Sequence, residues 1–193
     1  MSDVPATAAA VYTKNLVKGA PLTVTKNNIS DGIAQAVICN SGNANTCNAN
    51  GIEIAEKMCK LVSAATNISE KDIIVASTGV IGQPLSIDPI ASKIDDLVSG
   101  LGNNSNYACE AIMTTDTKQK EIAFEFDVNG VTCKIGGIAK GSGMIHPNIV
   151  AMLGWIMPLP LAIPPILQVT PLTSNSNAIS FCFVSVVIIA SQA

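Results

Sequence analysis

Every charged side chain of this 193-residue chain lies between residues 1 and 140; from Gly141 to Ala193 there is no Asp, Glu, Lys or Arg. A soluble domain intersperses charge over its surface, so this last stretch cannot provide a solvated exterior of its own. Val150–Val169 has the length of a membrane-spanning helix, but Pro158, Pro160, Pro164 and Pro165 break its second half. Ala178–Ala190 is apolar throughout and falls short of the roughly 20 residues needed to cross a bilayer. It reads as a strand, either core or aggregation-prone. No membrane segment is expected.

The length suits one well-cored domain. A net charge of -3 gives no basic footprint for nucleic acid. All 11 cationic side chains are Lys. An anionic group would therefore be held by Lys, backbone N–H groups or hydroxyls, without the bidentate fork of Arg. Six cysteines are scattered with no C-x-x-C pair, which favours free thiols in a reducing cytoplasm. With one His and no paired Cys, no zinc site is expected. No other metal and no cofactor is assigned.

Thr7–Thr13 reads as a strand, and Ala34–Cys39 as a buried strand running into the loop Asn40-Ser41-Gly42-Asn43-Ala44-Asn45. Ile54, Met58, Leu61, Val62 and Ala65 recur at helical spacing, so about 51–66 is an amphipathic helix. Ser69 caps a short turn before the strand Ile73–Ser77. About 88–98 is a second amphipathic helix, 100–106 a Gly/Asn loop, and Tyr107–Met113 the start of another helix. Residues 121–128 and 131–138 alternate around Asn129-Gly130, the signature of a two-residue β-hairpin turn.

Three segments could carry chemistry. Ser77-Thr78-Gly79-Val80-Ile81-Gly82 follows a strand and turns at glycines, a geometry that can leave N–H groups free for an oxyanion. Read alone, it is an ordinary strand-end turn. Thr114-Thr115-Asp116-Thr117 is by itself a capped helix end, and Lys140, before Gly-Ser-Gly, an ordinary exposed charge. His146 stands before Pro147 without a Ser or Cys at a recognisable spacing, so loop packing is its expected role.

Taken together, S-D-V-P-A-T-A-A-A-V, N-S-G-N-A-N, S-T-G-V-I-G-Q-P-L, I-M-T-T-D-T and G-G-I-A-K-G-S-G-M-I-H-P-N make the chain resemble the ornithine acetyltransferases, the bifunctional glutamate N-acetyltransferases of arginine biosynthesis, over about residues 3–154. The resemblance implies an α/β fold with stacked β-sheets between helix layers, here incomplete at both ends. It implies that Thr78 and Gly79 form an oxyanion hole and that Thr114 and Lys140 bind substrate. It also implies acetyl transfer from N-acetylornithine to glutamate, and assembly from an α and a β piece. No role is carried onto Asn40–Asn45.

In the family the nucleophile segment runs Asn-Met-Ala-Thr-Met-Leu-Gly. Its Thr cleaves the chain at its own N-terminal side, then takes the acetyl group on its hydroxyl. The freed α-amine, with a pKa of roughly 7.7–8, serves as base. Here the segment is Asn148-Ile149-Val150-Ala151-Met152-Leu153-Gly154. Ala151 removes nucleophile, base and maturation together, so the chain is expected to stay uncut and inactive. Residues 1–150 then read as an N-terminally clipped α-type domain, and 151–193 as a diverged tail in place of the β piece. The alternative is a non-catalytic remnant or binding fragment.

Overall fold

The computed structural model describes residues 1–13, 16–102, 104–128, 130–141, 143–144, 149–150, 153–159 and 186–191, with backbone placement alone for 128, 131, 133–135 and everything after 141. In chain order the elements are β1 (Ala6–Val11), α1 (Ala20–Asn28), a 3-10 turn (Ile29–Asp31), β2 (Ile33–Ala34), β3 (Ala36–Asn43), α2 (Gly51–Thr66), a second 3-10 turn (Glu70–Asp72), β4 (Ile73–Val80), α3 (Asp88–Ala91), α4 (Ile94–Ser99), α5 (Ser105–Ala111), β5 (Lys120–Val128), β6 (Val131–Lys140), β7 (Gly143–Met144), β8 (Ile149–Val150), β9 (Leu153–Leu159) and β10 (Val186–Ser191).

Strands β2-β1-β10-β9-β6-β5 form a six-stranded sheet, and β3 and β4 a parallel pair. Strand alternation explains how these stack. On β4, Ile74 and Ala76 face Ala6 and Ala8 of β1, and Ile138 of β6 packs on the same cluster. Their neighbours Ile73 and Val75 face the other way, onto Val24 of α1 and Ala55, Met58, Cys59 and Val62 of α2. The parallel pair is thus buried on both faces, one against a sheet and one against helices, as the apolar run Ile73–Ala76 requires. This is an α/β fold with stacked sheets, as the motifs imply.

Helix α2 occupies the residues its periodicity predicts. It stops because Asn67 adopts φ 60°, a left-handed cap whose N–H donates to the Ser63 carbonyl (2.8 Å). The hairpin register pairs Val128 with Val131, and Gly130 has φ 81°, as a two-residue turn needs; Asn129 is outside the described residues. The Ser69 side chain accepts from Lys71 N (3.3 Å), as its capping role predicts.

Four features differ from the sequence reading. The helix expected over 88–98 is two helices: the Ser92 hydroxyl donates to the Pro89 carbonyl (3.0 Å), and Lys93 N bonds the Ile90 carbonyl (3.1 Å), a tightened turn. The loop expected from Asn40 is strand as far as Asn43, where a bulge ends the register. Helix α1 has no amphipathic stripe to reveal it. Two of its polar residues turn inward: Thr25 Oγ1 donates to the Val75 carbonyl (2.7 Å) and accepts from Val75 N (3.0 Å). Asn28 Nδ2 likewise donates to the Ile73 carbonyl (2.7 Å). These side chains close the open edge of β4.

The fourth difference concerns the charge-free segment. Its strands β9 and β10 are the two central strands of the six-stranded sheet, hydrogen-bonded between β6 and β1. Central strands with covered neighbours are where a sequence can dispense with charge. Strands β6 and β9, which flank residue 150 in the sequence, are hydrogen-bonded neighbours in this sheet. Pro158 lies opposite Ile135 of β6 and beyond the Gly154–Ile156 stretch that pairs with β10.

Candidate functional site

Lys140 ends β6 on the same side as Ile138, and Thr78 follows Ile74 and Ala76 on β4, so both continue the apolar contact between the sheets beyond its last hydrophobic residue. There the Lys140 ammonium donates to Thr78 Oγ1 at 3.0 Å and to Thr114 Oγ1 at 2.8 Å. Thr114 leaves α5 with φ 53°, a left-handed conformation that a β-branched residue adopts only when its surroundings hold it there. The Ser41 hydroxyl, donating to the Ala111 carbonyl (2.5 Å), ties the end of α5 to β3.

An ammonium has three N–H donors. Among the described residues Lys140 uses two on the threonines, and each hydroxyl, having accepted, keeps its own proton to give. The cluster therefore offers an ammonium N–H and two O–H groups to one acceptor, which suits a carboxylate or an oxyanion. Burial lowers the Lys140 pKa and nearby Lys120 lowers it further, while Asp116 and Cys39 act in the opposite sense. The Cys39 thiol, packed at the sheet interface, is itself pushed up to about 12 by burial, with Lys140 opposing, so it is neutral at physiological pH.

Gly79 lies beside Thr78 in β4, not in a turn. The turn comes later, where Gly82 N bonds the Thr46 carbonyl (2.9 Å). Gly79 pairs with Gly42 and has φ 135°; a Cβ there would sit 2.2 Å from the Gly42 carbonyl carbon. Only glycine fits. Ser77 Oγ and Asn40 Oδ1, from residues paired across β4 and β3, are buried and find no hydrogen-bond partner among the described residues. Polar atoms thus occupy both faces of the strand pair at this end.

Asp116, present in the T-T-D-T motif but given no role from sequence, is the further residue this site contains. Its Oδ2 accepts from Gly141 N (3.0 Å) and from Lys120 Nζ, and its Oδ1 accepts from Lys118 N (3.2 Å). Ala151, the expected nucleophile position, and His146 lie outside the described residues. An open depression lined by Leu16, Lys18, Thr23, Cys47, Asn50 and Glu53 is separate: Thr78, Gly79, Thr114 and Lys140 do not border it. Among the described residues there is no cluster of His, Cys, Asp and Glu that could hold a metal, and no helix long and apolar enough to cross a membrane.

Stacked sheets, a helix layer on the parallel pair and a Lys–Thr–Thr cluster where the sheets part define an α/β protein with an ammonium and two hydroxyls gathered at one end. A sequence model of the ArgJ family matches residues 1–185. The chain belongs to this family, the ornithine acetyltransferases that its motifs resemble. It is 48% identical over 157 residues to the arginine biosynthesis bifunctional protein ArgJ of Shouchella clausii, covering 80% of this chain and 38% of that protein. To the ArgJ of Symbiobacterium thermophilum it is 46% identical, covering 39% of that protein. Among solved structures it is similar to ArgJ from Bacillus halodurans, with TM-score 0.68 and 42% identity over 77% of this chain and 79% of that one. It is also similar to an ornithine acetyltransferase complexed with ornithine from Mycobacterium tuberculosis, with TM-score 0.66 and 33% identity over 74% and 77% of the two chains. The chain spans about two fifths of the length of the curated relatives it matches.

Proposed function

We propose that the Lys140–Thr78–Thr114 cluster is the substrate-holding part of an acetyl-transfer site that moves acetyl from N-acetylornithine to glutamate. The observation that carries this reading is Lys140 Nζ within 3.0 Å of Thr78 Oγ1 and 2.8 Å of Thr114 Oγ1. In this reading Lys140 and Thr114 hold the substrate. Thr78 and Gly79 stabilise the oxyanion formed when a hydroxyl adds to the acetyl carbonyl. Collapse of that oxyanion would expel the ornithine amine and leave an acetyl ester, which glutamate's amine then takes up.

The hydroxyl is what this chain lacks. Ala151 stands at the nucleophile position, so we propose that the chain remains in one piece, binds substrate and does not turn it over. That substitution also favours the second reading, a non-catalytic binding member of the family. The reading includes a cytoplasmic setting and a partner supplying the family's β piece. What supports such a partner is length: the chain covers 79% of the solved B. halodurans chain but 38% of a curated relative. Solved family chains are thus themselves only part of the family's length.

Three measurements test this. Intact mass should give the uncut chain, acetyl transfer should stay at background, and calorimetry should register N-acetylornithine or glutamate binding that Lys140→Met weakens by about tenfold or more. Cleavage before Ala151, or transfer above background, would overturn the inactive reading. Absent binding, or binding unaffected by Lys140→Met, would overturn the site.

A further inference from the structure

Lys140 reaches two threonines on separate elements, and something must aim it. Its side chain leaves the last residue of β6, a position normally prone to fraying, and the next residue, Gly141, has φ 121°. Strand pairing with β5 ends here too, at Lys120 opposite Ala139. Asp116 meets this weak point from the turn that also carries Thr114.

We propose that Asp116 is a positioning residue: by accepting from Gly141 N and Lys120 Nζ at once, its carboxylate locks the ends of β5 and β6 to the Thr114 turn and so aims the Lys140 ammonium at Thr78 and Thr114. This rests on the substrate-holding role proposed for that cluster. One oxygen holds the turn itself, through Lys118 N at 3.2 Å; the other holds both strand ends, including Gly141 N at 3.0 Å. Met113, whose carbonyl accepts from Asp116 N (2.9 Å), anchors the turn on α5. A carboxylate suits the task because, when ionised, it is acceptor-only and can take several N–H groups on two oxygens. A neutral amide would turn an N–H toward one of these donors.

The charges near Lys140 follow the same arrangement. Asp116 on the turn favours its protonated form, Lys120 on β5 opposes it, and the Cys39 thiol on β3 is neutral at physiological pH. Asp116 therefore both places the ammonium and favours its charged form against the effect of burial.

The test reads Lys140 directly, without ligand, by competitive acylation across a pH series with mass-spectrometric readout. Lys93, exposed and paired with Asp96, serves as internal reference. Asp116→Asn should make Lys140 more reactive, its titration moving to lower pH; Lys120→Met should move it the opposite way. Asp116→Ala should in addition speed hydrogen exchange at the Gly141 amide. No movement of Lys140 in either charge variant, or movement of both in one direction, would overturn the proposal even if Asp116→Ala fails to fold. So would unchanged Gly141 exchange in a folded Asp116→Ala. Because no substrate is present, these outcomes are independent of whether N-acetylornithine binds.

Discussion

Gly79 and Gly42 pair across the parallel strands so closely that a Cβ on Gly79 would lie 2.2 Å from the Gly42 carbonyl carbon and 2.5 Å from Asn43 N. Both obstacles are backbone and cannot rotate away. With φ 135° adding strain, Gly79→Ala should destabilise by about 3 kcal/mol or more. Gly82, with φ 75° but open space around it, should lose only about 1–2 kcal/mol on the same change. Urea unfolding of the two variants checks the contrast; equal losses would refute it.

The Lys140 ammonium is held partly out of water, and burial disfavours its charge. Lys140→Met should therefore leave the unfolding midpoint unchanged or raised at neutral pH. Any gain should shrink as pH rises toward 10.5, the ordinary lysine value, because the wild-type ammonium then loses its charge in the fold first. Substrate binding should weaken by about tenfold or more, since charge-assisted hydrogen bonds contribute roughly 1.5–3 kcal/mol each. A large drop in melting temperature would show that Lys140 is structural.

Asp116 titrates at about 2, chiefly because Lys120 donates to its carboxylate, with Gly141 N and Lys118 N adding to the effect. Its unfolded value is near the ordinary roughly 3.9. The stabilisation is thus complete above about pH 4–5 and fades as pH falls through about 2. Subtracting the pH–stability curve of Asp116→Asn from that of the wild type should leave a difference that is constant above about pH 5 and falls away only within this acid window. A difference that is flat between pH 5 and 2 would contradict it.

Of the four cysteines whose side chains are described, Cys47 is exposed, while Cys59 and Cys109 are buried and Cys39 half-buried. Burial pushes the Cys39 thiol up to about 12 and that of Cys59 to about 11. Iodoacetamide at pH 8 should alkylate Cys47 well before the other three, read by peptide mass spectrometry. Prior labelling of Cys39 would mean that the sheet interface opens readily.

Thr25 Oγ1 both donates to and accepts from Val75 in a buried position. Thr25→Val keeps the shape and strands two main-chain groups, so it should cost about 2–4 kcal/mol. Thr25→Ser, which keeps the hydroxyl, should cost much less. Equal losses would assign the effect to packing.

Legibility from sequence tracked how local the determining physics is. Helix α2 was readable because its apolar stripe is written in residues close together in the sequence. The hairpin was readable because Asn129-Gly130 sets its own turn. Helix α1 was not, because Thr25 and Asn28 face inward toward the partners they find on β4. The place of β9 and β10 at the sheet's centre depends on β1, far away in sequence. Thr78, Thr114 and Lys140 could be named through the family motifs, yet their convergence, and the work of Asp116, are visible only in three dimensions.

The bonds from α1 to β4 also impose an order on biosynthesis. Thr25 and Val75 are 50 positions apart, so the helix has no strand to grip until that much more chain has left the ribosome. A nine-residue helix with no side-chain cap at its N-terminus has little reason to persist alone in water. The nascent chain should therefore form the β3–α2–β4 unit first and fold its earlier helix back onto it, so that the segment synthesised sooner is the one completed later.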